Sequence, residues 1–405
     1  MLVLSSVRGC SLLFFLLLIT RHGFSQEKEP VHFSADSNTV SRNGEEIAVR
    51  YTGHVVITQG GTRLLADEAT YLRKVQRVHL PQGVVVEDSL KDRGRVRIRA
   101  DRAIYDHADQ RAELTGRVAA HDSTATLTSE SMTYWRANKR AEAAGSVTLE
   151  DGGRRLQANQ MAYFVEDRRA VAQGQVLLAD SARSVTVTGS HAEYAADSES
   201  GWVTGDPELV RTAAEGAPAT IVRADQLEFF AKENRSLATG HVHVIRGKLE
   251  AFCDTVTFFE AQDRFVLAGS PRAVQVTQKD TLIRYENELL GQQMEILVKD
   301  NEAAEITVSG AARAESTRLE AKRYPGQTSY ANGKSVRLFA KDEQVTQIVV
   351  EGNATSLYHL PPDEGKSAGD VNEASGDTIR VFFEDGEVSR VLVCGGVVGH
   401  YRPAE

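Results

Sequence analysis

The sequence predicts an all-β protein, a solenoid-like stack of mainly antiparallel strands. Three observations carry that expectation: a glycine that recurs along the chain, a second signature in register with it, and the near absence of helical periodicity. The glycine stands at Gly53, Gly83, Gly116, Gly145, Gly174, Gly205, Gly240, Gly269, Gly310, Gly352 and Gly395. Its spacing is 29 to 35 residues up to Gly269 and 41 to 43 beyond it. A period of this length, sustained through most of 405 residues, marks a stacked array of one β-unit rather than a compact domain.

Two residues after the glycine comes Val55, Val85, Val118, Val147 or Val176, and later Pro207, Val242, Pro271, Ala312, Ala354 or Val397. This glycine segment alternates apolar and polar residues, as in Val55-Ile57, Val147-Leu149, Val176-Leu178 and Val242-Val244. A spacing of two is the period of a strand with one buried face.

The second signature reads apolar, x, small, x, x, apolar, x, aromatic. Its copies are Leu64-Ala66-Ala69-Tyr71, Ile98-Ala100-Ala103-Tyr105, Leu127-Ser129-Met132-Tyr134, Leu156-Ala158-Met161-Tyr163, Val187-Gly189-Ala192-Tyr194, Val222-Ala224-Leu227-Phe229 and Ala251-Cys253-Val256-Phe258. The step of three in the middle would turn the side chains outward unless a bulge or bend restores them. Each copy is therefore expected to be one long, bent strand, with the small residue where the bend crowds the interior. Turn-like pieces such as Thr58-Gln59-Gly60-Gly61 and Asp151-Gly152-Gly153 join neighbours by short, antiparallel connections.

Beyond about residue 280 the rhythm changes. Met294-Ile296, Asp300, Ile306 and Gly310 match Val336-Leu338, Asp342, Ile348 and Gly352, and again Ile379-Val381, Asp385, Val391 and Gly395. The longer period is expected to leave room for loops, of which 361–376, rich in Pro, Gly, Asp and Ser, is the clearest. Three segments result: a signal segment over 1–25, repeats of about 30 residues over 26–280, and variant repeats of about 42 residues over 281–405.

Composition narrows the function. With 41% hydrophobic and 25% charged residues, the chain is ordinary globular material. Its net charge is −9, which argues against nucleic acid as a partner and against a polybasic membrane patch. Arg8, the apolar run from Ser11 to Thr20 and Gly23-Phe24-Ser25 read as a cleaved signal peptide, the run being too short to span a bilayer. An uncleaved anchor is the competing reading. Cys253 and Cys394 would remain, both at ordinary core or near-core positions and far apart in the array, so no disulfide is expected.

A search for chemistry returns little. His241-Val-His243 stands on one strand face and would suit a metal, but no Cys or carboxylate repeats with it. Asp300, Asp342 and Asp385 keep register as turn residues do. Nothing has the pattern of a nucleophile elbow, a phosphate loop or a paired-carboxylate site. The expectation is a non-enzymatic protein with no cofactor and no metal.

The phrase from Gly53 to Tyr71, with its Ala66-Asp67 and Tyr71, returns as Ala100-Asp101 to Tyr105 and Ala224-Asp225 to Phe229. It resembles the repeat of the OstA-like (LptA-like) family of lipopolysaccharide-transport proteins, closely over about 45–275 and more loosely over 280–402. The resemblance implies a V-shaped β-jellyroll with an apolar trough between two sheets. It implies periplasmic transport of lipopolysaccharide or a related glycolipid toward the outer membrane. It also implies partners of the same fold joined by end-strand pairing, with head-to-tail self-association a further expectation. On that reading Val55, Ile57, Leu64, Ile98, Leu127, Val147, Leu149, Leu156, Val176, Leu178, Val187, Val222, Val242 and Val244 line the trough. Two alternatives stand beside it. The same residues would equally pack a closed core, and the chain would then be an exported β-solenoid scaffold or adhesin without a lipid ligand. A polysaccharide-cleaving β-helix would need clustered carboxylates, and none are found.

Overall fold

The computed structural model describes residues 30–403, apart from 60–61, 91–93, 107–108, 110, 122–124, 136–139, 165–166, 168, 183, 196, 213–217, 279–282, 300–301, 321–326, 342–343, 361–368 and 385–386. The signal segment 1–25 and the turn residues Asp300, Asp342 and Asp385 lie outside this set. The described residues form thirty strands and two short 3-10 turns, Ala231–Glu233 and Glu260–Gln262. The fold is all-β and jellyroll-like. No described helix is long and apolar enough to cross a membrane. The chain divides into two compact units, one ending at Gly205 and the other beginning at Asp206.

Within the first unit, strands run back and forth as antiparallel neighbours: Arg111–His121, Ala125–Trp135, Arg140–Asp151, Arg154–Phe164, Arg169–Asp180 and Val185–Ala195. Glycine strands and signature strands alternate along this series, and each bends at its middle. Between Arg140–Asp151 and Arg154–Phe164 the register runs Ala144↔Gln160 and then Val147↔Ala158, so Gly145 and Ser146 together face Asn159 alone. The bulge falls on the glycine strand, and the signature strand bends beside it. This two-against-one corner divides every strand into a first arm on the Val147 side and a second arm on the Ala143 side.

Two consecutive left-handed residues make the corner. Gly116 has φ +80° and Arg117 +45°; Gly240 has +77° and His241 +45°. Only glycine fits the first place. A Cβ at Gly116 would stand 2.5 Å from Asp101 Oδ2, and one at Gly240 would stand 2.1 Å from Asp225 Oδ2. The residue that follows the small residue of the signature thus lies across the glycine of the next strand. Its backbone N–H closes the corner, Asp101 to the Gly116 carbonyl at 2.8 Å and Asp225 to the Gly240 carbonyl at 2.9 Å. The second repeat departs from the expected register: Val84, not Val85, is the buried residue after the glycine, and its corner has a single left-handed residue, Gly83 at φ +61°, directly before Val84. Val84 pairs with Ala100 as Val55 pairs with Ala66.

In the unit from Asp206 the corners persist, but the strands lengthen. Glu302–Glu320, Gln327–Lys341, Gln344–His359 and Val371–Glu384 run 19, 15, 16 and 14 residues, against 11 or 12 for those of the first unit above. The loop expected over 361–376 is corrected in part: 371–376 belong to the strand Val371–Glu384, while 361–368 lie outside the described residues. The extra residues extend the first arm of each strand, as in Ala312 to Glu320. A strand that already pairs on both sides gains further ladder bonds by growing, which a loop of equal length does not.

Candidate functional site

The inner face of the first unit is one unbroken apolar stripe. Going across the strands, Ile57 pairs with Leu64, Leu64 with Val86, Val86 with Ile98, and Ile98 with Ala120. Ala120 pairs with Leu127, Leu127 with Leu149, Leu149 with Leu156, Leu156 with Leu178, and Leu178 with Val187. At about 4.8 Å per strand the nine steps span roughly 43 Å.

Burial along each strand falls with distance from the corner. Next to it Val55, Val147 and Val176 are sealed, at 1%, 1% and 2% exposure. One step out, Ile57, Ile98, Leu149 and Val187 are still buried, whereas Leu64, Leu127, Leu156 and Leu178 are half-buried. The next step reaches the rim, at Gln59, Thr62, Asp151, Arg154 and Asp180. In the other unit Val242 is sealed, while Val222 and Val244 are half-buried. Of the fourteen residues named from sequence, eleven lie on the inner face of the first unit and Val222, Val242 and Val244 on strands of the other, in two grades: a packed seam at the corner and a softer row beyond it.

Opposite this stripe stands the second arm, with Ala69, Leu114, Met132, Ala143 and Met161 in the same core cluster as Val55, Val118 and Val147. The aromatic column continues it. Tyr134 and Tyr163 are buried and Tyr71, Tyr105 and Tyr194 half-buried; Tyr71 faces Val49 and Val78, whereas the others face a small residue on at least one neighbour, as Tyr163 faces Ala141 and Ala170. Sizes alternate in a checkerboard: the glycine strand offers Val147 on the first arm and Ala143 on the second, and its neighbour Ala158 and Met161. Large meets small across the interior as well as along it.

The two arms also touch directly. The Tyr105 hydroxyl donates to Gln59 Oε1 at 3.1 Å, joining the second arm to the rim of the first. Phe33 lies parallel to Tyr51 with ring centroids 4.7 Å apart, and 5.7 Å from Tyr71. These contacts were not foreseen. A signal for the second existed: Phe33-Ala35-Asn38-Val40 is a further copy of the signature, with Asn38 in the apolar slot. Val40 is accordingly 65% exposed, on the open edge strand Ser37–Asn43.

The outer side of the corners carries ion pairs. Arg117 holds Asp101 at 2.7 Å and pulls its carboxyl below the usual range. His54 pairs with Asp36 at 2.8 Å and His241 with Asp225 at 2.9 Å, and in each the hydrogen bond to the carboxylate raises the imidazole above 6.5. His243 instead stacks on Phe252 and bonds Glu250, so the two histidines of the His-Val-His phrase serve different partners. Among the described residues no group of His, Cys, Asp or Glu is placed to hold a metal. Cys253 is buried in the small-residue slot, where burial pushes its thiol up to about 11; Cys394 is exposed, and both are free.

Among solved structures, the chain is similar to LptH, described as the LptA homologous periplasmic component of the conserved lipopolysaccharide transport device from Pseudomonas aeruginosa. The identity is 17% over 26% of this chain and 76% of that one, with a TM-score of 0.24, too low to argue from. No curated protein matches the chain. The family described as LptA/(LptD N-terminal domain) LPS transport protein matches over residues 32–140, 97–202 and 221–387, which together take in most of the sequence. The inner stripe and every recurring glycine except Gly205 and Gly395 fall within those matches, and the chain belongs to this family of LPS transport proteins.

Proposed function

We propose that this protein is a periplasmic, non-enzymatic carrier or bridge that holds lipopolysaccharide or a related glycolipid on its way toward the outer membrane. The observation that supports this most is the stripe from Ile57 to Val187, apolar on ten successive strands and softening from a sealed seam to a half-buried row. Acyl chains laid along the soft row leave water at about 0.8 kcal/mol per methylene. Because each rung presents nearly the same surface, no rung traps the cargo. Export by a cleaved signal segment at 1–25 completes the reading.

The terminal strands support partners of like fold. Ser37–Asn43 pairs only with Glu46–Gln59 among the described residues. At the other end Val391, Leu392, Val397, Val398 and Tyr401 are exposed on or beside the last two strands. Unpaired edges accept a strand from a relative or from a second copy.

A photo-crosslinking residue at Leu127 or Leu156, exposed to purified lipopolysaccharide, tests the carrier reading. Adducts are expected there and not at Thr128 or Gln157, which stand on the outer face. Adducts at neither pair would make the interior a filled core and favour the scaffold.

A further inference from the structure

The lengthened first arm of the second unit has an inner face of different chemistry from the stripe. Leu249 pairs with Gln275, Gln275 with Asn287, Asn287 with Ser316, and Ser316 with Ser329. Farther along, Tyr358 pairs with Asn372. Each stands two residues out from an inward neighbour, namely Ala273, Leu289, Ala314, Ala331, Ser356 and Ala374, and so shares that inner face. Gln275, Asn287, Ser316, Ser329 and Tyr358 are half-buried. Ser316 Oγ donates to Asn287 Oδ1 at 2.8 Å, and Asn287 Nδ2 donates to Thr277 Oγ1 at 3.2 Å, which fixes the plane of the amide.

Keeping this arm in water does not require a polar inner face. Its outer face is already charged, with Arg272 bonded to Glu288 and Arg313 bonded to Asn332. Nor does the band suit acyl chains, which would strip water from amides and hydroxyls without replacing the lost hydrogen bonds. The five residues of the band are neutral: they offer amides, hydroxyls and a tyrosine ring, and among the described residues Arg318, two beyond Ser316, is a lone cation on that face rather than the cluster a phosphate would need. Amides and hydroxyls that both donate and accept, beside an aromatic face, are complementary to a polyhydroxyl ligand.

We propose that this band, built on Gln275, Asn287, Ser316, Ser329 and Tyr358, binds the saccharide portion of the glycolipid cargo; the inference rests on the carrier reading above. Titration calorimetry of the mature chain with lipid-free core oligosaccharide, released from lipopolysaccharide by mild acid, tests it. The Leu127 crosslink to whole lipopolysaccharide is run in parallel. The wild type is expected to bind the oligosaccharide. Asn287→Leu with Ser316→Val is expected to weaken that binding by at least about tenfold and to leave the Leu127 adduct intact. Gln275→Ala, which removes no internal hydrogen bond seen here, covers the case in which the double variant fails to fold.

A Leu127 adduct without oligosaccharide binding would overturn the saccharide band and leave the carrier standing. Undiminished binding by both variants would put the sugar elsewhere and equally overturn it. Absence of both signals would remove the carrier reading and this inference with it.

Discussion

Strands 111–195 and strands 302–384 answer the same requirement, a filled seam beside the corner, in opposite ways. In the first, large and small residues alternate between the arms from Ala125–Trp135 to Arg169–Asp180, as with Val147 and Ala143 beside Ala158 and Met161. In the second, every strand puts its small residues on the first arm and its branched ones on the second. Ala312 and Ala314 share a strand with Ile306 and Val308; Gly333 and Ala331 share one with Val336 and Leu338; Gly376 and Ala374 share one with Ile379 and Val381. The seam is then filled from one side, and the arms meet closely. A Cβ on Gly291 would come within 2.4 Å of Val308 Cγ1, one on Gly333 within 2.7 Å of Val350 Cγ1, and one on Gly376 within 2.8 Å of Val393 Cγ1. The lesson is that one corner tolerates two packing solutions, and each leaves a different wall beyond the seam. The checkerboard leaves bulky apolar side chains there; the one-sided seam leaves alanines and then a polar band.

The strongest way to break this contrast is to place charge on each wall. Leu127→Asp with Leu156→Asp is expected to reduce lipopolysaccharide capture at least about tenfold, since each buried carboxylate must be desolvated or protonated. Asn287→Asp is expected to weaken oligosaccharide binding and to leave the Leu127 adduct in place. Equal loss from both would mean that the two walls serve one purpose.

Next in size is the seam itself. Met294→Ala empties a fully buried site and is expected to cost about 2–5 kcal/mol in urea unfolding. Gly291→Ala is expected to cost about 1–3 kcal/mol by overpacking, with Val308→Ala restoring part of it. If the second change restored nothing, the one-sided seam would be wrong at that rung.

A smaller effect belongs to the bridge between the arms. Tyr105→Phe removes the bond to Gln59 and is expected to cost about 1 kcal/mol. Its crosslinking at Leu127 should proceed faster if the bridge limits entry, and at an unchanged rate if it does not.

The smallest effects are on the outer corners. His54 and His241 have raised imidazole values, so their contribution to stability is fully present below the ordinary 6.5 and is lost as pH rises through the raised value. Both pairs are exposed, so the loss is small. NMR titration should show both histidines above 6.5, with Asp225→Asn returning His241 alone toward it. Thiol labelling at pH 8 should modify Cys394 rapidly and Cys253 only on unfolding, because burial holds the Cys253 thiol up at about 11.

Much of this was legible in residues. The glycine and the small-x-x-apolar step located the bend at every corner from Gly53 to Gly269, because backbone conformation at φ near +80° admits little else. The inward position of residues such as Val55, Leu127 and Val147 could be read because a period of two fixes which side of a strand a residue occupies. A further regularity lay unread. Asp101 stands 15 residues before Gly116, and Asp225 15 before Gly240, the spacing at which each carboxylate lies across its glycine. The second repeat is not legible in this way: Gly83 directly precedes the buried Val84, and the run Val84-Val85-Val86 carries no phase of its own.

What the sequence determined by itself was local: strand against turn, inward against outward, and a corner wherever glycine recurs. Those follow from sterics and periodicity within about ten residues. Tertiary structure alone decided which inner residues are sealed and which are half-buried, that Tyr105 reaches Gln59 across 46 positions, and that the strands of the longer repeats carry a polar wall beyond the seam. Each of these depends on the distance between two arms, and that distance is set jointly by side-chain volumes on strands far apart in the chain.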